Sequence, residues 1–133
     1  MAEVELSLGW VIVYVEHPTR ASAFYQEAFG LPGEFAAPDG SYAQLDTGST
    51  KLAFASYALG QKNFAGGVRP ASGDGPPPNV EITLVADDVD AALARALEAG
   101  CALLAGAQDK PHGQRVAFVR DPFGTLIELA TPL

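Results

Sequence analysis

The segment Gly9 to Gly30, GWVIVYVEHPTRASAFYQEAFG, can be laid over Val80 to Gly100, VEITLVADDVDAALARALEAG, with Trp10 on Glu81, an offset of 71 residues. A repeat constrains architecture more than any single element, because each copy must find the same local fold. Ala21 then meets Ala92, Ala23 meets Ala94, Glu27 meets Glu98 and Ala28 meets Ala99, while Glu16 falls on Asp87. Both copies run strand, acidic or polar turn, helix, glycine stop.

The strands come from β-branched and aromatic runs, Trp10 to Val15 in the first copy and Val80 to Val85 in the second. The first helix begins near Pro18, carries Ala21, Phe24 and Ala28 at helical spacing, and stops at Gly30. The second is capped by Asp87 or Asp88, presents Ala92, Leu93, Ala96 and Leu97 on one face, and stops at Gly100. Strand-like material follows each helix: Ser41 to Leu45 and Lys51 to Ser56, then Arg115 to Val119 and Leu126 to Ala130. With one further short strand after each helix, the chain reads as βαβββ twice, an α+β domain over residues 1–133. Module one spans 6–58 and module two 80–133. Between them the Gly- and Pro-dense stretch 61–79, QKNFAGGVRPASGDGPPPN, is expected to hold no helix and no interior strand. It is either a linker or a lid, and Phe64 and Arg69 are its bulky candidates for ligand contact or surface anchoring.

Composition narrows the function classes. The chain has 133 residues, with 16 acidic against 8 basic side chains and a formal net charge of −8, which opposes a polyanionic partner. Nucleic acid and anionic membranes are therefore excluded as expected partners. The longest apolar run, Val11 to Val15, is far short of the roughly 20 residues of a membrane helix. The opening Met-Ala-Glu-Val-Glu is acidic where a secretory signal is basic. Cys101 has no partner for a bridge and sits among Gly100, Ala102 and Leu103 as a small hydrophobe, which fits a reducing compartment such as the cytoplasm.

Three stretches carry a resemblance to a known family: VEHPTRASAFYQEAFGLP (Val15 to Pro32), VADDVDAALARALEAG (Val85 to Gly100) and GQRVAFVRDPFGTLIEL (Gly113 to Leu129). Together with the duplication they resemble the vicinal oxygen chelate superfamily, which includes glyoxalases, extradiol dioxygenases, fosfomycin-modifying enzymes and bleomycin-resistance proteins. The resemblance implies two βαβββ modules with curved mixed sheets around a cleft, commonly paired as a homodimer. The chemistry of DPFG agrees. Pro122 fixes φ, Asp121 can bond the turn backbone, and Gly124 supplies a conformation other residues avoid, so a hairpin joins two strands there. Alternation then sends Glu128 to the opposite face from Ile127 and Leu129.

In metal-dependent members each module contributes ligands from its first and last strands. The resemblance places Trp10 and Ala53 at those positions in module one, and Glu81 and Glu128 in module two. Only Glu81 and Glu128 could bind a cation, whereas a Lewis-acid metal site generally uses three protein ligands and favours imidazole. His17, at the polar turn before the first helix, reads as a capping or exposed residue; His112, which the resemblance puts at the cleft rim, could touch a ligand. This incomplete set argues against a classical metal-dependent enzyme and for no cofactor. Trp10 instead offers a flat apolar face and an N–H donor for a planar or cationic group, though strand aromatics are usually core. Tyr14 shares its face by periodicity, with Tyr42 or Phe54 as further aromatics and Phe64 from the loop.

The expected function is thus small-molecule binding of the bleomycin-resistance type, a sequestration of a drug or planar metabolite. The alternative is a lyase, isomerase or dioxygenase of the glyoxalase kind, with a divalent metal on Glu81 and Glu128 or with Glu128 as a general base.

Overall fold

The computed structural model describes residues 3–133. The chain divides at Pro70 and Ala71 into two compact units, except that Glu27–Phe29 at the end of the first helix group with the second.

In the first unit the elements are β1 (Trp10–Val15), α1 (Pro18–Phe29), β2 (Gly33–Ala36), β3 (Tyr42–Leu45), β4 (Lys51–Ser56) and α2 (Tyr57–Asn63). The sheet order is β1-β4-β3-β2, with β1 and β4 parallel and the other pairs antiparallel. Pro18 takes the first turn of α1, where its missing N–H costs nothing, and Gly30 closes the helix at φ 68° with its N–H on the Gln26 carbonyl. Residues paired across a ladder share a face. Val11, Val13, Leu52, Phe54 and Ala43 therefore lie on one side, and Trp10, Ile12, Tyr14, Ala53, Ala55, Tyr42 and Gln44 on the other. The first side is core: Phe54 and Tyr25 of α1 are fully buried, their rings 4.9 Å apart.

The second unit holds β5 (Glu81–Val85), α3 (Val89–Ala99), β6 (Ala102–Asp109), β7 (Arg115–Arg120) and β8 (Leu126–Ala130), in the order β5-β8-β7-β6 with β5 and β8 parallel. Asp88 rather than Asp87 caps α3, its carboxylate accepting the Ala91 N–H at 3.0 Å. Ile127 and Leu129 are buried with Ala117 and Val119, so alternation leaves Glu128 on the opposite face of the sheet, as expected. At the DPFG turn Asp121 Oδ1 accepts the N–H groups of Phe123 and Thr125, each at 2.9 Å, and Gly124 sits at φ +96°. Two βαβββ modules with the same strand order are thus present, and the repeat register is exact in its pairing logic: Ile12 faces Ala53 across β1 and β4, and Thr83, 71 residues on, faces Glu128 across β5 and β8.

Two expectations need correction. The stretch from Gln61 is not free of helix, because Gln61–Asn63 form the end of α2, which starts where the Ser56 hydroxyl accepts the Leu59 N–H at 3.1 Å. The strand after the second helix is not short: β6 runs eight residues, with register shifts along its pairing to β7. The loop beyond Pro70 is held to the second unit. Arg120, only 6% exposed, donates to the carbonyls of Gly73 at 2.7 Å and Gly75 at 3.0 Å.

Candidate functional site

The exposed face of the first sheet is built in rows. Ile12, Ala53 and Gln44 form one row across β1, β4 and β3, and Tyr14, Ala55 and Tyr42 the next. Trp10 on β1 donates its indole N–H to Gln44 Oε1 at 3.0 Å. Strands two apart are about 9.6 Å from each other, so the indole must lie along the sheet, over β4, to make that bond. The methyl group of Ala53, completely buried, leaves room beneath it. The ring is thus anchored on the sheet at its N–H while Trp10 as a whole remains 56% exposed.

Gln44 collects the neighbouring polar groups. Its Oε1 also accepts the Tyr42 hydroxyl at 2.6 Å, and its Nε2 donates to Glu34 Oε2 at 2.8 Å. Lys51 closes the chain, its ammonium 3.2 Å from Glu34 Oε1 and 3.0 Å from Asp46. Burial, with the Glu34 charge adding to it, raises the Tyr42 pKa above its ordinary value, so the phenol stays a donor. The hydrogen bond from Lys51 holds Asp46 below the usual carboxylate range.

Of the aromatic candidates, Trp10, Tyr14 and Tyr42 share this face. Phe64 also reaches it, from the end of α2. Its ring meets the Tyr14 ring edge-on at 6.3 Å, and Tyr14 packs close to Gly60, where an added Cβ would lie 3.1 Å from its ring. Phe54 does not belong here: it points to the α1 side and is fully buried against Tyr25. Its placement follows from the pleat, since Ala53 and Phe54 are successive residues and cannot share a face. The Trp10 N–H, expected as a free donor, is already used by Gln44. Gln44, Glu34 and Lys51 were not anticipated. Gln44 carried a signal, a polar side chain in an otherwise apolar strand and two residues from Tyr42; Glu34 meets it, and Lys51 meets Glu34, across strands in a way that no local pattern shows.

On the exposed face of the second sheet, the Thr83 hydroxyl lies 3.0 Å from Glu128 Oε1 and 3.2 Å from Glu81 Oε2. The two carboxylates are thus brought together around one hydroxyl. His112 is not with them. It hydrogen-bonds Gln114 at 2.7 Å in the turn between β6 and β7, and Gln114 in turn bonds the Thr131 carbonyl, three residues beyond Glu128 and so about 10 Å along the strand. His17 has no capping bond, is exposed, and stands 3.9 Å from Glu16.

A divalent metal of the kind the fold admits does not fit this residue set well. The paired strand positions give two carboxylates and a hydroxyl in the second unit, and an indole, an isoleucine and an alanine in the first. Among the described residues no group of three or more His, Cys, Asp or Glu side chains is placed to hold a metal ion. Nor is any helix among them long and apolar enough to cross a membrane.

Comparison with known proteins places this geometry. No curated protein sequence matches the chain. Among solved structures, TioX from Micromonospora sp. ML1 is 27% identical, with 96% of this chain and 99% of that one covered and a TM-score of 0.71. A glyoxalase/bleomycin resistance protein/dioxygenase family enzyme from Burkholderia phytofirmans PsJN shares the fold at 21% identity, covering 96% and 100% of the two chains with a TM-score of 0.76. Lactoylglutathione lyase from Agrobacterium tumefaciens does so at 21% identity, over 96% and 95%, with a TM-score of 0.69. The model of one family matches residues 7–129. With that match spanning both βαβββ modules, the chain belongs to the Glyoxalase/Bleomycin resistance protein/Dioxygenase superfamily.

Proposed function

We propose that the protein binds a planar aromatic or cationic small molecule without a metal, as a sequestering protein for a drug or metabolite of that shape. The observation that carries this reading is Trp10: an indole fixed at its N–H by Gln44 and yet 56% exposed. An exposed aromatic plane held in one orientation loses little freedom when a second plane stacks on it, and its π-face attracts positive charge. Ile12, 45% exposed, and the Tyr14–Phe64 edge contact extend the apolar surface along the same face. The net charge of −8 favours approach of a cation.

The second reading is a metal-dependent lyase, isomerase or dioxygenase. It is favoured by the Glu81–Thr83–Glu128 group, which could offer two oxygens to a cation. Metal analysis of protein purified without chelators separates the two. The binding reading expects no stoichiometric metal, and quenching of Trp10 fluorescence by proflavine, whose binding, followed by calorimetry, is lost in Trp10→Ala. Stoichiometric Zn, Ni, Mn or Fe that disappears in Glu128→Ala would overturn it.

The same reading takes the protein as a cytoplasmic homodimer. β1 and β5 each have one ladder partner among the described residues, and a second copy would cover such edges. Light scattering that returns the monomer mass of 13.8 kDa at micromolar concentration would remove the dimer from the proposal.

A further inference from the structure

We infer that Gln44 is the positioning residue that anchors the Trp10 indole over the sheet, and that it turns the Trp10 and Tyr42 groups toward ligands recognised by stacking and positive charge rather than by accepting a hydrogen bond. The ligand half of this inference rests on the binding reading above; the positioning half concerns the free protein alone.

The orientation of the Gln44 amide is forced. The side chain is 8% exposed and meets two donors, the Trp10 N–H at 3.0 Å and the Tyr42 hydroxyl at 2.6 Å, and one acceptor, Glu34 at 2.8 Å. Turned over, the amide would set its NH2 group against the indole N–H, which cannot accept, and its carbonyl against a carboxylate. Only the orientation with Oε1 toward Trp10 satisfies all four groups. Glu34 is itself held by Lys51, which also pairs with Asp46. Side chains from four strands therefore fix one ring: Lys51 from β4 holds Glu34 from β2, Glu34 orients Gln44 on β3, and Gln44 anchors Trp10 on β1.

The consequence for recognition is a matter of counting. Oε1 has two lone pairs and both are taken. The indole has one N–H and the phenol one O–H, and both are spent on Gln44. What the two aromatic groups leave open is electron-rich, the exposed π-system of Trp10 and a lone pair on the Tyr42 oxygen; the second N–H of Gln44 Nε2 belongs to a side chain only 8% exposed, and the third N–H of Lys51 to an ammonium already held by two carboxylates. A ligand that takes its hydrogen bond from Trp10 or Tyr42 would have to break a Gln44 contact and strip a buried amide oxygen of one partner. A planar cation meets no such cost.

Trp10 is the single tryptophan of the chain, so its fluorescence reports this ring without interference. In the free protein, Gln44→Met keeps the length and removes the acceptor; the fast local component of the time-resolved anisotropy is expected to grow about twofold. Gln44→Glu keeps the acceptor but sets a second carboxylate against Glu34. Protonation restores the donor, so the local anisotropy of this variant should approach that of the native protein as the pH falls from about 8 to about 5, while the native protein stays flat. A Gln44 that merely fills space would lower the melting temperature of both variants and leave the anisotropy and its pH profile unmoved, and that result overturns the positioning role. For recognition, N-methylquinolinium is expected to bind the native protein about tenfold more tightly than neutral quinoline, and Gln44→Met should weaken it about tenfold. If the anisotropy behaves as stated but quinoline binds as well as its cation, Gln44 positions the ring and the specificity half fails. If the cation does not bind the native protein at all, the binding reading fails with it.

Discussion

Thr83 and Glu128 are direct partners on the parallel ladder of β5 and β8, and the Thr83 hydroxyl lies 3.0 Å from Glu128 Oε1 with Glu81 Oε2 3.2 Å away on its other side. A hydroxyl has one proton, so it can donate to only one of the two carboxylates. The other faces an oxygen lone pair, and both acids face each other's charge. Replacing Glu128 by Gln removes one charge and supplies a donor. The expected outcome is a higher urea midpoint in dilute buffer, with the gain shrinking in about 1 M salt as screening closes over the pair. An unchanged or lowered midpoint would show that the carboxylates do not repel.

Phe54 and Trp10 lie on opposite faces of the first sheet and should respond differently to truncation. Phe54→Ala empties a fully buried site against Tyr25 and is expected to cost about 3–5 kcal/mol. Trp10→Ala removes a half-exposed ring and one hydrogen bond and should cost about 1–2 kcal/mol, with the loss showing chiefly in ligand binding. Equal costs in urea unfolding would mean that Trp10 is part of the core.

These two residues also show how far the sequence could be read. Strand content, the DPFG turn and the glycine stops are local chemistry, and β-branched runs, Pro18, Gly30, Asp88 and Gly100 all act where the sequence puts them. The duplication supplied the succession of elements in each module, and the order of strands in each sheet came with the structure. Alternation already separated Ala53 from Phe54, so assigning Ala53 to the site face assigned Phe54 to the core. What could not be read is set by contacts distant in sequence. The Trp10 N–H meets a residue 34 positions away, and Glu34 finds Lys51 across 17. The helix α2 escaped notice because its cap, Ser56, is the last residue of a strand, and Gly60 falls inside it, where the pattern resembles a loop.

Arg120 is buried with two backbone carbonyls as its partners, and its Nε has none. It therefore ties Gly73 and Gly75 to β7, while Gly124 brings the DPFG turn against the same loop, where a Cβ would come within 2.9 Å of Ala71 and 3.0 Å of the Ser72 carbonyl. Arg120→Met should leave the sheet intact and release the loop, seen as faster amide exchange across 71–76 and a new protease cut there. Gly124→Ala, with both this crowding and φ +96°, is expected to cost about 1–3 kcal/mol. Unchanged exchange in Arg120→Met would show that the loop is held by something else.

Arg115 grips Asp90 through two bonds of 3.0 Å each, and the hydrogen bonding from Arg115, with its charge adding, holds the Asp90 carboxyl below the usual carboxylate range of 3.8. A carboxyl whose folded pKa is depressed contributes stability that is fully present above the unfolded value and is lost as the pH falls through the folded one. The window therefore lies below 3.8. Asp46, held down by Lys51, and Asp39, held down by the Ser41 hydroxyl and N–H, act in the same window. All three are surface groups, so the effect of each is small and salt-sensitive. The urea midpoint is expected to hold steady from about pH 7 to about pH 5 and to fall below about pH 4, and Asp90→Asn should make that fall shallower. A variant with the same acid slope as the native protein would show that the Asp90–Arg115 pair contributes nothing to it.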